Sequence, residues 1–199
     1  MNPLPIILAS SSKSRLSLLE KIGIIPTKII SPDIDETPLK KENPRNLAMR
    51  LSKLKAEKIA IEVKNGLIIG ADSVSARGSI ILPKAQTDDE VRYCLKIFSG
   101  RRHRVYTGVS IIKIENSQII SRRDKVVETI VKFKSLTDAE IENYVRSKEG
   151  IGKGGGFSVA GIGQVFINFI SGSHSNIIGL PLFETRNMLL SLGYDIFNR

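Results

Sequence analysis

The chain has 199 residues, 41% of them apolar, and a formal net charge of +10. No stretch approaches the roughly 20 apolar residues of a membrane-spanning helix, and one cysteine excludes an intramolecular disulfide. One cysteine with two histidines also excludes a Cys/His zinc site. We therefore expect a single α/β domain over residues 1–199, a reducing, cytoplasmic location, no membrane and an anionic partner.

The first half of the chain alternates short apolar runs with segments of helical periodicity. Asn43 and Pro44 suit the start of a long helix, and Leu47, Leu51 and Leu54 follow at the spacing of one apolar face. Predicted strands cover residues 5–9, 26–31, 66–72 and 80–82, and predicted helices cover residues 14–22, 44–63 and 87–99.

The second half opens with two β-rich segments joined near Asn116. Thr137 and Glu140 have the spacing of a helix capping box. Predicted strands cover residues 104–114 and 125–133 and short stretches near 159 and 165–170, with helices after residue 135 and over 181–193. Strands that alternate with helices indicate an α/β fold, and the adjacent strand pair in the middle indicates a mixed β-sheet flanked by helices.

The junction of the first strand and helix is a candidate anion site. Residues 10–15 read Ser-Ser-Ser-Lys-Ser-Arg. Free backbone N–H groups at a helix start attract anions, and hydroxyl groups and cations strengthen that attraction. A triphosphate fits such a place, although serine-rich helix starts also occur without any ligand.

Four carboxylates form a second candidate site. Asp72 stands at the end of a predicted strand in which nothing else is charged, and Asp33, Asp35 and Glu36 lie in a loop bracketed by prolines. Ligands of α/β sheets bind beyond the carboxyl ends of strands. Carboxylate oxygens favour a hard cation, Mg²⁺ or Mn²⁺, while the alternative is that these residues cap turns or are solvated.

Lysines supply further candidates for phosphate contact. Lys55 lies beside the apolar face of the long helix, and Lys84 follows a short strand directly. Lys58 is placed similarly to Lys55, so either side chain could simply lie along the apolar surface.

Other features point away from common alternatives. The glycine-rich residues 150–157 lack the Walker A pattern, and residues 101–134 hold nine Lys or Arg against three acidic residues. A basic nucleic-acid-binding protein remains an alternative, but the dispersed aromatic residues offer no stacking platform. His103 and Cys94 are expected to be packing or surface residues, outside any nucleophile arrangement.

Several motifs in register resemble the Maf family, within the superfamily that also contains inosine triphosphate pyrophosphatases. The similarity covers nearly the whole chain. Its marks are residues 8–15, 33–38, 50–56, 70–73, 82–84, 99–108, 153–157 and 172–185. The resemblance implies two lobes around a central nucleotide-binding cleft, a homodimer, and hydrolysis of nucleoside triphosphates to monophosphate and diphosphate with a divalent cation. It also implies a role in nucleotide-pool sanitation and division control.

The resemblance also implies roles for individual residues. Asp72 matches the catalytic acid/base carboxylate, and Glu36 matches a second carboxylate on the metal side. The phosphate-binding positions correspond to Ser10, Ser12, Arg15, Lys55 and Lys84.

Base-specificity positions depart from the family patterns. Ser14 and Ala160 stand where members acting on dTTP and UTP have arginine and glutamine, and where members acting on 7-methyl-GTP have tryptophan and glutamate. Ser73 stands where the pyrimidine group has threonine. The overall pattern favours the pyrimidine group. Lys13 replaces a usual proline, so a catalytically weak nucleotide sensor is an alternative to an active enzyme.

Overall fold

The computed structural model describes residues 4–198. The strands are β1 (Ile6–Ala9), β2 (Lys28–Ile30), β3 (Gly66–Arg77), β4 (Ile80–Ile81), β5 (Arg102–Glu115), β6 (Gln118–Phe133) and β7 (Ile167–Ser171). The helices are α1 (Lys13–Lys21), α2 (Pro44–Ala60), α3 (Asp88–Phe98), α4 (Asp138–Arg146), α5 (His174–Ile178) and α6 (Leu182–Ser191), with a 3₁₀ helix at Ile162–Phe166. Among these residues no helix has the length and apolar character needed to cross a membrane.

The seven strands form one mixed sheet in the order β2-β1-β3-β5-β6-β7, with β4 paired to the far end of β3. β1 runs parallel to β2 and β3, whereas β5 is antiparallel to β3 and β6, and β7 is antiparallel to β6. Asn116 and Ser117 join β5 to β6 with positive φ angles of 53° and 63°, the backbone of a tight hairpin turn. The predicted α/β fold with a mixed sheet is confirmed.

Helix starts follow the capping residues of the sequence. Ser12 and Asn43 accept hydrogen bonds from backbone N–H groups three residues on, which begins α1 and α2. Thr87 and Thr137 each form a complete capping box with a glutamate, at the starts of α3 and α4.

The sheet buries both faces of its central strands. On β1, Ile6 and Leu8 pack in one cluster with side chains of α1 and α6, and Ile7 and Ala9 pack in another with α2. This division follows from the two-residue period of a strand. A third cluster lies between α3, α4 and the β5–β6 pair and includes Phe98 and Tyr144.

Several predicted boundaries were wrong. β3 does not end at Asp72 but continues to Arg77, because β5 pairs with it along residues 66–76. Leu54 is 36% exposed, so the buried face of α2 includes Leu51 and Lys55 instead.

Residues near 159 form no strand. The carboxylate of Glu149 accepts hydrogen bonds from the N–H groups of Ile162 and Gly163, and so caps the 3₁₀ helix that follows. α5 was not predicted, since its five residues are too few for a periodic pattern.

Candidate active site

A cavity of about 490 Å³ opens beside the middle of β3. β1 pairs with β3 only up to Gly70, and β4 pairs with Ala76 and Arg77. In the described chain no strand pairs with residues 71–75 of β3 on that side. The chain leaves β1 there into the serine loop before α1, so the cavity lies at the carboxyl end of β1 and not at the end of β3 as predicted.

Arg15, in the first turn of α1, is almost buried at the wall of this cavity. Its Nε donates to the carbonyl oxygen of Gly179 at 2.9 Å, and its Nη1 donates to Ser10 Oγ at 3.1 Å. Its Nη2 donates to Ser73 Oγ at 3.3 Å. The guanidinium is thus fixed from three sides by elements far apart in sequence.

Two glycines bring α2 close enough to deliver Lys55. A Cβ on Gly70 would lie 2.5 Å from Ser52 O, and a Cβ on Gly108 would lie 2.2 Å from Ala48 O. No side chain fits at such distances, so β3 and β5 lie directly against α2. Lys55 therefore reaches the strand and is only 7% exposed.

Lys55 joins the two carboxylates of the cavity. Its Nζ lies 2.5 Å from Asp72 Oδ1 and 2.5 Å from Glu36 Oε1. Burial raises the pKa of Asp72 above its usual range, although Lys55 and Arg15 act in the opposite direction. Partial burial opposes the charge of Glu36, but the hydrogen bond and the charge of Lys55 outweigh it and lower the pKa of Glu36. Burial thus favours the neutral form of Asp72, whereas Lys55 favours the charged form of Glu36.

Positive charge dominates the lining. In the part of the chain that the structure describes, two carboxylates face five cationic side chains, which are Lys13, Arg15, Lys55, Lys84 and Lys153. Lys84 is exposed and its backbone pairs with Gly154 in an isolated β-bridge, so the glycine-rich segment forms part of the wall. Burial lowers the pKa of Arg15, against the charges of Asp72 and Glu36, yet a guanidinium keeps its charge.

The structure brings ten of the predicted site residues into this one cavity. They are Ser10, Ser12, Ser14, Arg15, Glu36, Lys55, Asp72, Ser73, Lys84 and Ala160. Asp33 and Asp35 do not line it, and Asp35 instead accepts the N–H of Thr37 in a local turn.

Sequence reasoning missed an apolar part of the wall. Phe157, Val159, Ile177 and Ile178 line the cavity beside the polar groups. Phe157, Ile177 and Ile178 fall inside two glycine-containing motifs near the carboxyl end, and Val159 falls in a short predicted strand. Nothing in the sequence distinguished these four residues from core residues.

The residues expected to pack do so. His103 is 1% exposed, stacks on Phe98 with ring centroids 3.8 Å apart, and has its pKa lowered to about 3 by burial. Burial raises the pKa of Cys94 to about 12. Neither lines the cavity. The basic residues of 101–134 are partly compensated by ion pairs, which are Arg104–Glu128, Lys113–Glu115, Arg122–Asp124 and Lys134–Glu140.

Known proteins share sequence similarity with this chain over nearly its whole length. The sequence pattern of a family described as Maf-like protein matches residues 5–192. The chain belongs to the Maf-like protein family. It is 56% identical over 195 residues to a protein of Orientia tsutsugamushi (strain Boryong) named nucleoside triphosphate pyrophosphatase, covering 98% of this chain and 95% of that protein.

A second relative, from Rickettsia felis (strain ATCC VR-1525 / URRWXCal2), carries the same name. It is 56% identical over 197 residues, covering 98% of this chain and 97% of the relative. Among solved structures, the Ham1 protein of Staphylococcus aureus is 15% identical over 65% of this chain and 71% of that chain, with a TM-score of 0.43. Family membership thus rests on the sequence relatives.

Proposed function

We propose that this Maf-like protein hydrolyses nucleoside triphosphates to nucleoside monophosphate and diphosphate. The observation that carries the proposal is the convergence of Arg15, Lys55 and Lys84 with Glu36 and Asp72 in one cavity. Cations placed around carboxylates suit the cleavage of a phosphoanhydride, since charge develops on phosphate oxygens while water attacks. The relatives named above as nucleoside triphosphate pyrophosphatases support the same activity.

The polar part of the cavity would hold the phosphates. Ser10 and Ser12 precede α1, and the Ser12 side chain already caps the helix. Backbone N–H groups at this helix start, together with Arg15 and the exposed amine of Lys84, provide donors for phosphate oxygens.

The apolar part of the cavity supports a nucleotide rather than a bare polyphosphate. Phe157 and Ile177 offer surface on which a base can pack. Ser14, Ser73 and Ala160 line the same cavity, and their small side chains leave room for a base. We propose a pyrimidine nucleotide of the dTTP or UTP type, or a modified nucleotide, with sanitation of the nucleotide pool as the physiological role.

Glu36 and Asp72 would hold a divalent cation, Mg²⁺ or Mn²⁺. Both carboxylates lie within 2.5 Å of one atom, Lys55 Nζ, so they converge on a single region. The described residues contain no cluster of three or more His, Cys, Asp or Glu that could hold a metal alone. This donor set fits Mg²⁺, which uses one or two carboxylates together with substrate phosphates and water. Bound there, the cation would neutralise charge on the phosphate oxygens.

Asp72 would act as the general base. Its Oδ1 accepts the hydrogen bond from Lys55, so Oδ2 would face both the cation and the attacking water, and the carboxylate would take the proton of that water. Burial raises the pKa of Asp72, which favours its taking up the proton of the water. Lys55 holds this carboxylate in place and keeps it ionised.

The test is diphosphate release from a panel of dTTP, UTP, CTP and 7-methyl-GTP with Mg²⁺ or Mn²⁺, beside calorimetric titration on the same preparation. Turnover that is fastest with dTTP or UTP supports the proposal. Tight binding without turnover would instead support a nucleotide sensor. Binding of duplex DNA that weakens steeply with salt, with no diphosphate release, would support a nucleic-acid binder.

A further inference from the structure

A chain of buried hydrogen bonds runs from Arg15 into the sheet behind the cavity. Nη2 of Arg15 donates to Ser73 Oγ at 3.3 Å, and the hydroxyl groups of Ser73 and Thr107 lie 2.9 Å apart. Thr107 Oγ1 then donates to the carbonyl oxygen of Asn176 at 3.0 Å. Thr107 and Asn176 are both 0% exposed, and neither lines the cavity.

The direction of the protons in this chain is fixed. A carbonyl oxygen only accepts, so the single hydroxyl proton of Thr107 is used on Asn176. Ser73 must therefore donate its own proton to Thr107, and its oxygen lone pairs remain for Arg15. Without the Thr107 hydroxyl, the proton of Ser73 loses its acceptor, and the Ser73 oxygen that accepts from Arg15 is no longer held in place.

The same network holds the second partner of Arg15. The side-chain amide of Asn176 donates to Thr129 Oγ1 at 2.9 Å and to the carbonyl oxygen of Val105 at 3.1 Å. The N–H of Gly179 donates to the carbonyl oxygen of Asn176 at 3.1 Å, and the carbonyl oxygen of Gly179 accepts from Arg15 Nε. α5 is thereby fixed to β5 and β6 on one side and to Arg15 on the other.

We propose that Thr107 is a positioning residue that orients the Arg15 guanidinium through Ser73 and through the Asn176–Gly179 turn. A guanidinium has five N–H groups. Within residues 4–198, three of them are committed to Gly179, Ser10 and Ser73, so two remain for a ligand. The positions of the three acceptors determine the directions of these two N–H groups. Two of the acceptors, Ser73 Oγ and the carbonyl oxygen of Gly179, are held in place through Thr107. This proposal rests on the proposed function, because the direction of the two remaining N–H groups of Arg15 matters to catalysis only if phosphates bind in the cavity.

The kinetic test is Thr107→Val, which keeps the shape of the side chain and removes its hydroxyl. Misdirected N–H groups weaken the contact with phosphate in ground state and transition state alike, so KM should rise about threefold to tenfold while kcat stays within about twofold. Thr107→Ser should restore the wild-type KM. Thr185→Val is the matched control, since Thr185 is equally buried and its hydroxyl has no partner among the described residues.

A ligand-free measurement separates this proposal from the proposed function. The exchange of the Arg15 Nε–H proton with water can be followed by ¹⁵N NMR, with the signal assigned through Arg15→Lys. It should be slow in the wild type and the Thr185→Val variant, and about threefold to tenfold faster in Thr107→Val. If Thr107→Val does not fold, Ser73→Ala cuts the same chain and should also speed the exchange.

The outcomes are distinct. Wild-type exchange and KM in a folded Thr107→Val variant, or equal changes in Thr185→Val, would overturn the positioning role. Accelerated exchange in a protein that turns over no triphosphate would uphold the positioning role while the proposed function fails.

Discussion

Replacing Asp72 with asparagine tests the proposed chemistry at its centre. Asn has the shape of Asp, so the packing of β3 against α2 should survive. The change removes the negative charge and the ability to take a proton from water. It also replaces the charged partner that Lys55 contacts at 2.5 Å with a neutral amide oxygen.

The structure predicts a large loss of turnover and a modest loss of stability. General-base assistance contributes about 10²–10⁴-fold, so kcat should fall by that factor. Lys55 keeps its contact with Glu36 at 2.5 Å, so its charge stays compensated. We therefore expect the free energy of unfolding to fall by about 1–3 kcal/mol, less than the about 3–5 kcal/mol of a buried pair broken outright. Triphosphate affinity should change less, because Arg15 and Lys84 are untouched.

The assay is diphosphate release from the best substrate of the panel, normalised to folded protein and accompanied by thermal melting. Asp124→Asn is the matched control. Asp124 accepts from Arg122 at 2.9 Å and lies 3.2 Å from Lys53, outside the cavity. It should lose stability and keep its turnover. Wild-type turnover per folded molecule in Asp72→Asn would refute the general-base role.

Three further changes separate the parts of the site. Lys84→Ala should lower kcat/KM about tenfold to a hundredfold, because it removes a charged donor to the phosphates, and it should leave the melting temperature unchanged. Steady-state kinetics and calorimetry would measure both effects, and unchanged kinetics would contradict the contact of Lys84 with phosphate. Lys55 lowers the pKa of Asp72, so Lys55→Met should raise that pKa and move the acid limb of the kcat/KM–pH profile to higher pH; a limb that stays in place would contradict the coupling. Gly108→Ala should lower the free energy of unfolding by about 1–3 kcal/mol, because the added Cβ overpacks against α2, and it should reduce the turnover of the folded fraction. Urea unfolding and diphosphate release would measure these effects. Full activity would contradict the role of the close approach between β5 and α2.

Local signals in the sequence were sufficient for most elements of the fold. Caps at Ser12, Asn43 and Thr87 and the period of the apolar residues act within a few positions, so they can be read without knowledge of the rest of the chain. The end of β3 could not be read this way. Its length is set by pairing with β5, in which the partner residues, from Arg104 for Ala76 to Ile114 for Gly66, lie 28 to 48 positions further along the chain.

Many of the polar residues that line the cavity could be predicted from the sequence, but the position of the cavity in the sheet could not. Arg15, Lys55 and Asp72 were found through motif resemblance and through charges placed next to apolar runs. Their meeting point lies beside the middle of β3, because β1 stops at Ala9 while β3 and β5 continue. A difference in length between neighbouring strands cannot be recognised from the hydrophobic periodicity of either strand.

The contact between Lys55 and Asp72 depends on residues that carry no chemistry. A lysine on a helix reaches a strand residue at 2.5 Å only if the two backbones approach closely, and Gly70 and Gly108 permit that approach. The apolar pattern around Lys55 suggested a side chain lying along the surface, which would hold if α2 stood at an ordinary distance from the sheet. The glycines change that outcome, because they turn a peripheral lysine into the buried partner of two carboxylates. Residues that set the distance between layers therefore belong to the site as much as the residues that line it.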